Sequence, residues 1–274
     1  MIKKTLIFLL LIFYTADGSA KELLIYVGVT SKPPMQKIIS LYHKKTGTKI
    51  SAIYGGSGTL LSQIILTKKG DIYMPGSPDF MRMAEKKGVV AKQSVKKIAY
   101  LIPSLIVPKD NPKAIGSYDD LTKPGIKIVI ANPQSVSIGV YAAEIIDKSL
   151  KRLKVKKNII NYTGSASKAA TAIMLHQADA AFDWKVYSYW NPKLIEAINI
   201  NKYIVRISYI SAGILNFTKD KYEAQRFLNF LSSSASKKIF EGEHIITSIK
   251  DVYKIIGRKV PVGGFYKLPK DWLR

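Results

Sequence analysis

The sequence predicts an α/β protein whose two lobes are joined by a two-strand hinge. Short apolar runs alternate with amphipathic stretches along most of the chain, and such alternating units form a parallel sheet with helices on its faces. Two long extended stretches, near residues 100–106 and 204–210, interrupt the alternation and are the predicted hinge strands. We therefore assign residues 21–102 and 208–274 to lobe one and residues 103–207 to lobe two.

Hydrophobic periodicity defines the first α/β series. The continuous apolar run from Leu23 is typical of a buried strand, and Met35, Ile38 and Tyr42 follow at helical spacing. Gly47 is placed to end that helix. In chain order we predict a strand at 23–27, a helix at 35–45, a strand at 49–54, a helix at 59–66, a strand at 71–74 and a helix at 78–87.

A second series follows the first extended stretch, which Pro103 breaks. Its elements show the same alternation of strand and helix, and the second extended stretch precedes one more amphipathic helix. We predict strands at 126–130, 158–162 and 180–183, helices at 138–150, 168–176 and 219–231, and extended chain at 98–107 and 203–217.

The first twenty residues have the three parts of a secretory signal peptide. Lys3 and Lys4 form a short basic start, residues 5–14 are apolar, and Gly18 to Ala20 are small residues suited to cleavage. The alternative is a buried first helix. We expect cleavage after Ala20 and a periplasmic or otherwise extracytoplasmic protein, with residues 1–20 removed.

Composition narrows the possible functions. The absence of cysteine excludes a disulfide scaffold, a thiolate zinc site, a cysteine nucleophile and a lipid-modified cysteine anchor. Lysine and arginine number 43 against 19 acidic residues, a formal charge of +24, which favours acidic partners. Export argues against nucleic acid as that partner, so a small anion or an anionic envelope polymer remains.

Four predicted strand-to-helix junctions consist of small residues rich in hydrogen-bond donors. They are residues 29–31, 55–59, 132–139 and 163–167. Free N–H groups and the partial positive charge at a helix start bind anions, and hydroxyl side chains add donors. Because loops at the carboxyl ends of parallel strands share one edge of a sheet, the four turns are predicted to surround one small oxyanion. The alternative is that each turn only caps its helix.

No enzymatic motif emerges from the sequence. A nucleophile elbow needs glycine two residues after the serine, and Thr59 stands at that distance from Ser57. The same turn lacks the Gly-Lys-Ser/Thr of a phosphate-binding loop. The three histidines lie in unrelated segments without metal-type pairing. We therefore expect a protein that is not an enzyme and has neither a cofactor nor a metal site.

Two stretches resemble the molybdate-binding proteins of ABC transporters, which have the type II periplasmic binding fold. One is Tyr-Gly-Gly-Ser-Gly-Thr-Leu-Leu-Ser-Gln-Ile at residues 54–64, followed by Gly-Asp-Ile-Tyr-Met at 70–74. The other runs from Asn-Pro at 132–133 to Gly-Val-Tyr-Ala at 139–142. The resemblance covers about residues 24–242 and implies two lobes that close around a naked tetrahedral oxyanion.

The resemblance also implies a set of ligand-binding residues. Thr30 and Ser57 match the two hydroxyl donors, while Ile138 and Ala166 match the two amide donors on the other lobe. Trp184 stands where the family usually has a tyrosine. The neighbouring candidates in the turns, and a possible substitute for that tyrosine, are Ser31, Gly58, Ser167 and Tyr187.

We expect the extracytoplasmic solute-binding component of an ABC importer. It would be a monomer that binds molybdate or tungstate by hinge closure and is then recognised by a permease in the cytoplasmic membrane. The alternative is the same fold with sulfate, phosphate, ferric ion or an organic anion as ligand. Hydrogen phosphate needs an acceptor for its proton, and Asp183 is the one carboxylate near the predicted site.

Overall fold

The computed structural model describes residues 22–201, 205–257 and 260–273. The predicted signal peptide lies outside these residues, as does part of the second extended stretch. In chain order the strands are β1 (Glu22–Gly28), β2 (Lys49–Gly55), β3 (Ile72–Met74), β4 (Lys96–Leu101), β5 (Pro103–Pro108), β6 (Ile128–Ala131), β7 (Ile159–Thr163), β8 (Ala180–Trp184), β9 (Ile195–Asn199) and β10 (Ser208–Ile214).

Ten α-helices connect and follow the strands in the part of the chain that the structure describes. None of them is long and apolar enough to cross a membrane. They are α1 (Lys32–Thr46), α2 (Ser57–Thr67), α3 (Pro78–Lys86), α4 (Ser137–Lys148), α5 (Arg152–Lys157), α6 (Ala166–Met174), α7 (Val186–Trp190), α8 (Lys221–Leu231), α9 (Ser234–Gly242) and α10 (Ile249–Ile256).

The strands form two five-stranded sheets. The first has the order β2-β1-β3-β10-β4 and the second the order β7-β6-β8-β5-β9. In each sheet the first three strands are parallel, whereas the strands next to the crossings are antiparallel to their neighbours. We call the sheets with their packed helices the first half and the second half.

The chain crosses between the halves twice. The outward crossing is direct, because only Ile102 separates β4 in the first sheet from β5 in the second. The return crossing leads from β9 to β10. Ile102 and Ile207 pack with Val252 and Val260 in a small apolar cluster beside both crossings. The described ends of the two crossings are thereby held together.

Strand register places the predicted turns at common edges. Gly28 at the end of β1 pairs with Gly55 at the end of β2, so the turns that follow are neighbours in the first half. Ala131 at the end of β6 pairs with Thr163 at the end of β7 in the same way. The parallel strands of both halves therefore present their carboxyl-terminal turns as groups.

The elements differ from the predicted ones mainly at their ends. Helix α6 begins at Ala166, two residues before the predicted start, because the Ser165 hydroxyl accepts the Lys168 N–H and caps it. Helix α2 begins at Ser57, also two residues early. No element was predicted at α5, α7, β9, α9 or α10, which are short or follow stretches without clear periodicity.

Candidate functional site

A small cavity lies between the two halves, where the turns after the parallel strands meet. From the first half it is lined by residues 28–30, 55–57 and Gly76. From the second half it is lined by Val136 and Ser137, Ala166 and Trp184. All four predicted turns contribute, and the turn after β3 is a fifth that sequence analysis did not single out.

Ser57 is the centre of the contacts across the cavity. Its side chain is buried, and its Oγ lies 2.8 Å from the Oγ of Ser137 in the second half. The Ser57 Oγ also accepts the N–H of Gly76 at 3.1 Å. Ser57 is the first residue of α2, whose N-cap position is held by Gly56, and the hydrogen bonds of the Ser57 Oγ go to Ser137 and Gly76. The hydroxyl therefore serves the cavity rather than the helix end, unlike a simple cap.

The backbones of the two halves also touch beside the cavity. The Gly58 N–H donates to the carbonyl of Ser135 at 2.8 Å. A Cβ on Gly58 would lie only 2.7 Å from the Gln134 carbonyl oxygen and 2.7 Å from a ring carbon of Phe80. Glycine is required here because any side chain would hold the halves apart.

Helix starts supply the remaining donors. Helices α2, α4 and α6 all begin at the cavity, and the N–H groups of a first turn have no partner within the helix. Each helix is at least nine residues long and adds partial positive charge at this end. Among the described residues, the lining contains no ionisable side chain. The arrangement favours an anion through neutral donors alone.

The other predicted site residues lie around this cavity without lining it. Ser31 and Ile138 are buried, in the turn before α1 and in the first turn of α4. The Ser167 hydroxyl bonds to the hydroxyl of Ser165, so it supports the cap of α6. Tyr187 is buried, which raises the pKa of its hydroxyl, while the Thr30 side chain, which does line the cavity, lowers that pKa to a smaller extent.

Gly28 and Gly76 line the cavity but lie outside the four predicted turns, and the Ser137 hydroxyl was not predicted as a ligand donor. Gly76 follows β3 and precedes α3, so it occupies the same kind of strand-to-helix junction as the four predicted turns. The signal was therefore present in the sequence. Ser137 was included only as part of the third turn, because no sequence pattern shows that its Oγ meets Ser57.

The cavity is closed tightly in this arrangement. Its volume is about 10 Å³, which is roughly the space that one water molecule requires. A tetrahedral oxyanion has four oxygens and needs more room than this. Such an ion could enter this cavity only if the halves separated and the Ser57–Ser137 hydrogen bond were exchanged for bonds to the ion.

Asp183 is buried next to this site but does not line it. Its Oδ1 accepts the N–H of Trp184 at 2.8 Å, and its Oδ2 has no hydrogen-bond partner. Burial raises the pKa of the Asp183 carboxyl well above its usual range. Successive residues of a strand face opposite sides, so Asp183 on β8 points away from the face on which Trp184 meets the cavity.

We expect Asp183→Asn to change how stability depends on pH. The folded protein holds a proton on Asp183 that the unfolded chain has lost, so this residue's contribution is full at acid pH and falls as pH rises toward the folded pKa. Over that window the unfolding free energy of the unchanged protein should fall by up to about 1.4 kcal/mol per pH unit more than that of the variant. Urea unfolding from pH 4 to 8 measures this.

Ser211→Ala provides the control for that experiment, because it removes a buried hydroxyl and no titratable group. It should leave the pH dependence of the unfolding free energy as it is in the unchanged protein. If the unfolding free energies of the Asp183 variant and the unchanged protein changed with pH in the same way, the interpretation of Asp183 as a buried neutral acid would be wrong.

A cleft lined with neutral donors, between two α/β halves joined by two crossings, defines a two-lobed solute-binding protein. The chain belongs to the family of bacterial extracellular solute-binding proteins, whose sequence model matches residues 23–244. The described residues that line the cavity all fall within the matched segment.

Individual relatives support the same class. A binding protein of Haemophilus influenzae is 24% identical over 233 residues, covering 85% of this chain and 94% of the relative. A molybdate-binding protein of Mycobacterium bovis is 22% identical over 195 residues, covering 71% and 72%. The solved structure of a sulfate-binding protein of Mycobacterium tuberculosis has a TM-score of 0.74 at 16% identity, covering 89% of this chain and 94% of that chain.

These comparisons confirm the predicted α/β fold class and the family resemblance given by residues 54–74 and 132–142. The chain has the α/β fold of the type II periplasmic binding proteins, and molybdate-binding proteins are among its relatives. All three relatives above are named as binding proteins and none as an enzyme.

Proposed function

We propose that this protein is the extracytoplasmic solute-binding component of an ABC importer and that its ligand is a tetrahedral oxyanion. The observation that carries the proposal is the cavity between the halves, in which Ser57 and Ser137 meet at 2.8 Å. Hydroxyl and backbone donors from five turns converge there, with no charged group in the described lining. Such a site binds an anion through hydrogen bonds and helix dipoles.

A fully ionised oxyanion fits this site better than hydrogen phosphate. A protonated oxyanion needs an acceptor for its own proton, and the described lining offers no carboxylate. Asp183, which precedes the lining residue Trp184, lies outside the lining. Molybdate and tungstate are the ligands we favour, because a molybdate-binding protein is among the relatives and the turns match that family.

Sulfate is the second candidate ligand. It has the same charge and shape as molybdate at neutral pH, and the similar fold of a sulfate-binding protein supports it. The two ions differ in size. Selectivity between them therefore depends on the separation of the halves at which the donors of both halves hydrogen-bond the ligand. In both cases binding would shift an open–closed equilibrium, and the closed form would be recognised by a membrane permease.

Ligand binding is best tested on residues 21–274 with molybdate, tungstate, sulfate, phosphate and chromate. A ligand present at 100 times its dissociation constant raises the free energy of unfolding by about 2.7 kcal/mol. We expect thermal shifts for molybdate and tungstate, confirmed by titration calorimetry. A shift for sulfate alone would keep the class and change the ligand. The absence of a shift with every anion would contradict the oxyanion proposal.

A further inference from the structure

Arg206 is a buried cation that contacts both halves of the molecule. Its Nη2 lies 2.9 and 3.1 Å from the two carboxylate oxygens of Asp79, on the first turn of α3 in the first half. Its Nε donates to Glu144 on α4 in the second half. All three side chains are buried, so the guanidinium bridges the halves in a region shielded from water.

The same network reaches the walls of the oxyanion cavity. Arg206 Nη1 donates to the hydroxyl of Tyr141 at 2.7 Å, and the Tyr141 ring packs edge-on against Trp184 at 5.3 Å between centroids. Two residues after Arg206, the Ser208 hydroxyl donates to the carbonyl of Gly76 at 2.9 Å. Trp184 and Gly76 both line the cavity. Arg206 can therefore influence the site without touching the ligand.

The end of the chain binds this network from outside. We call residues 260–273 the strap. It begins beside the return crossing, where the Gly263 N–H donates to the Ile207 carbonyl at 2.8 Å and the Gly263 carbonyl accepts Arg206 Nη1 at 3.1 Å. The Tyr266 N–H then donates to Asp79 Oδ1 at 2.9 Å, in the first half.

Beyond Tyr266 the strap is anchored on the second half. The Tyr266 hydroxyl bonds to Asp147 on α4, and Trp272 Nε1 donates to the same carboxylate at 2.8 Å. The Lys156 ammonium lies 4.0 Å from the centre of the Trp272 ring. The strap lies beyond residue 244, where the match to the family's sequence model ends.

We propose that the strap and Arg206 form a clasp that holds the two halves closed and sets how readily the oxyanion site opens. When the halves separate, α3 and α4 move apart, and Arg206 can no longer hold both Asp79 and Glu144. Removing Arg206 from the buried Asp79 is strongly unfavourable, because no other cation pairs with that carboxylate among the described residues, whereas Glu144 keeps its ion pair with Lys148. The strap must also release either Asp79 or Asp147. Closure is thus favoured before a ligand binds, and Arg206 is a positioning residue for the site.

The clasp rests on the proposed function for its biological meaning, but opening is measurable without any ligand. The chain has no cysteine, so Ser62→Cys and Lys168→Cys introduce a unique pair of spin labels. Both positions are exposed, on α2 and α6, whose first turns face each other across the cavity. Pulsed electron paramagnetic resonance then gives the distribution of distances between the two labels, one on each half.

Three variants release different parts of the clasp in this labelled protein. A chain ending at Gly264 removes the anchors on Asp79 and Asp147, Tyr266→Phe removes the Asp147 bond alone, and Arg206→Met removes the central cation. We expect longer and broader distances in that truncated chain and in Arg206→Met, and a smaller change in Tyr266→Phe. Tyr222→Phe, the same change at an exposed position on α8, should match the unchanged protein.

An unchanged distance distribution in the truncated chain would overturn the clasp, and it would do so even if Arg206→Met failed to fold. Where an oxyanion ligand has been found, its dissociation rate should rise about tenfold or more in the truncated chain, as expected for losing hydrogen bonds to charged groups. A chain that binds no oxyanion but still opens on truncation would contradict the proposed ligand and support the clasp.

Discussion

Ser57→Ala should weaken binding of the ligand oxyanion by about 10- to 100-fold, as measured by titration calorimetry. The Ser57 hydroxyl is buried at the meeting point of the halves, 2.8 Å from the Ser137 Oγ and 3.1 Å from the Gly76 N–H. A hydrogen bond to a charged group contributes about 1.5–3 kcal/mol, and a factor of ten in affinity corresponds to about 1.4 kcal/mol. The loss should appear for every oxyanion that binds, because the hydroxyl is a general donor.

Ser62→Ala is the matched control for this variant. Ser62 lies on the same helix, five residues further on and exposed to solvent. Its replacement should leave affinity within error of the unchanged protein. Equal affinity of the Ser57 and Ser62 variants would show that the ligand does not bind at the Ser57–Ser137 cavity.

Gly139→Ala should have the largest effect on stability, lowering the free energy of unfolding by about 3 kcal/mol. A Cβ at Gly139 would lie 2.3 Å from the Ala131 carbonyl oxygen and 2.7 Å from the Asn132 carbonyl carbon. Both are backbone atoms, so they cannot move aside as a side chain would. Helix α4 must shift away from the end of β6, which also displaces Ser137 from the cavity.

Thermal unfolding gives the measurement, with an expected fall in Tm of roughly 6–12 °C for a domain of this size. Gly242→Ala is the control, since Gly242 lies in α9 and an added Cβ there meets nothing within 4 Å. It should be neutral or slightly stabilising, as alanine is the better helix former. A Gly139 variant as stable as the Gly242 variant would contradict the packing at the start of α4.

Hydrophobic periodicity was sufficient to predict most of the core of each half. Strand β6 is a continuous buried run and β1 is buried along most of its length, and a helix such as α1 carries its apolar residues at helical spacing. Hydrophobic periodicity predicts whether a segment is a helix or a strand and which of its faces is buried. It locates the first and last residues poorly, because these depend on capping hydrogen bonds. The Ser165 cap, which starts α6 two residues early, is a hydrogen bond that only the folded chain shows.

The site was predicted in part. Residues Thr30, Ser57, Ala166 and Trp184 line the cavity, and they were singled out because small donors follow strands and because of a family resemblance. Ser31, Gly58, Ile138, Ser167 and Tyr187 surround it without lining it, and their roles toward a ligand stay predictions. The local sequence predicts that a residue lies in a turn, but it does not show which of two neighbouring residues in that turn faces the cavity.

The sequence by itself determined the α/β class, the donor-rich turns and the family, since these follow from local patterning of residue types. Only the tertiary structure decided which partners meet across the halves. The contact of Ser57 with Ser137 joins residues 80 positions apart, and the bridge from Arg206 to Asp79 spans 127. Such contacts arise from the packing of one half against the other, and no periodicity along the chain encodes them.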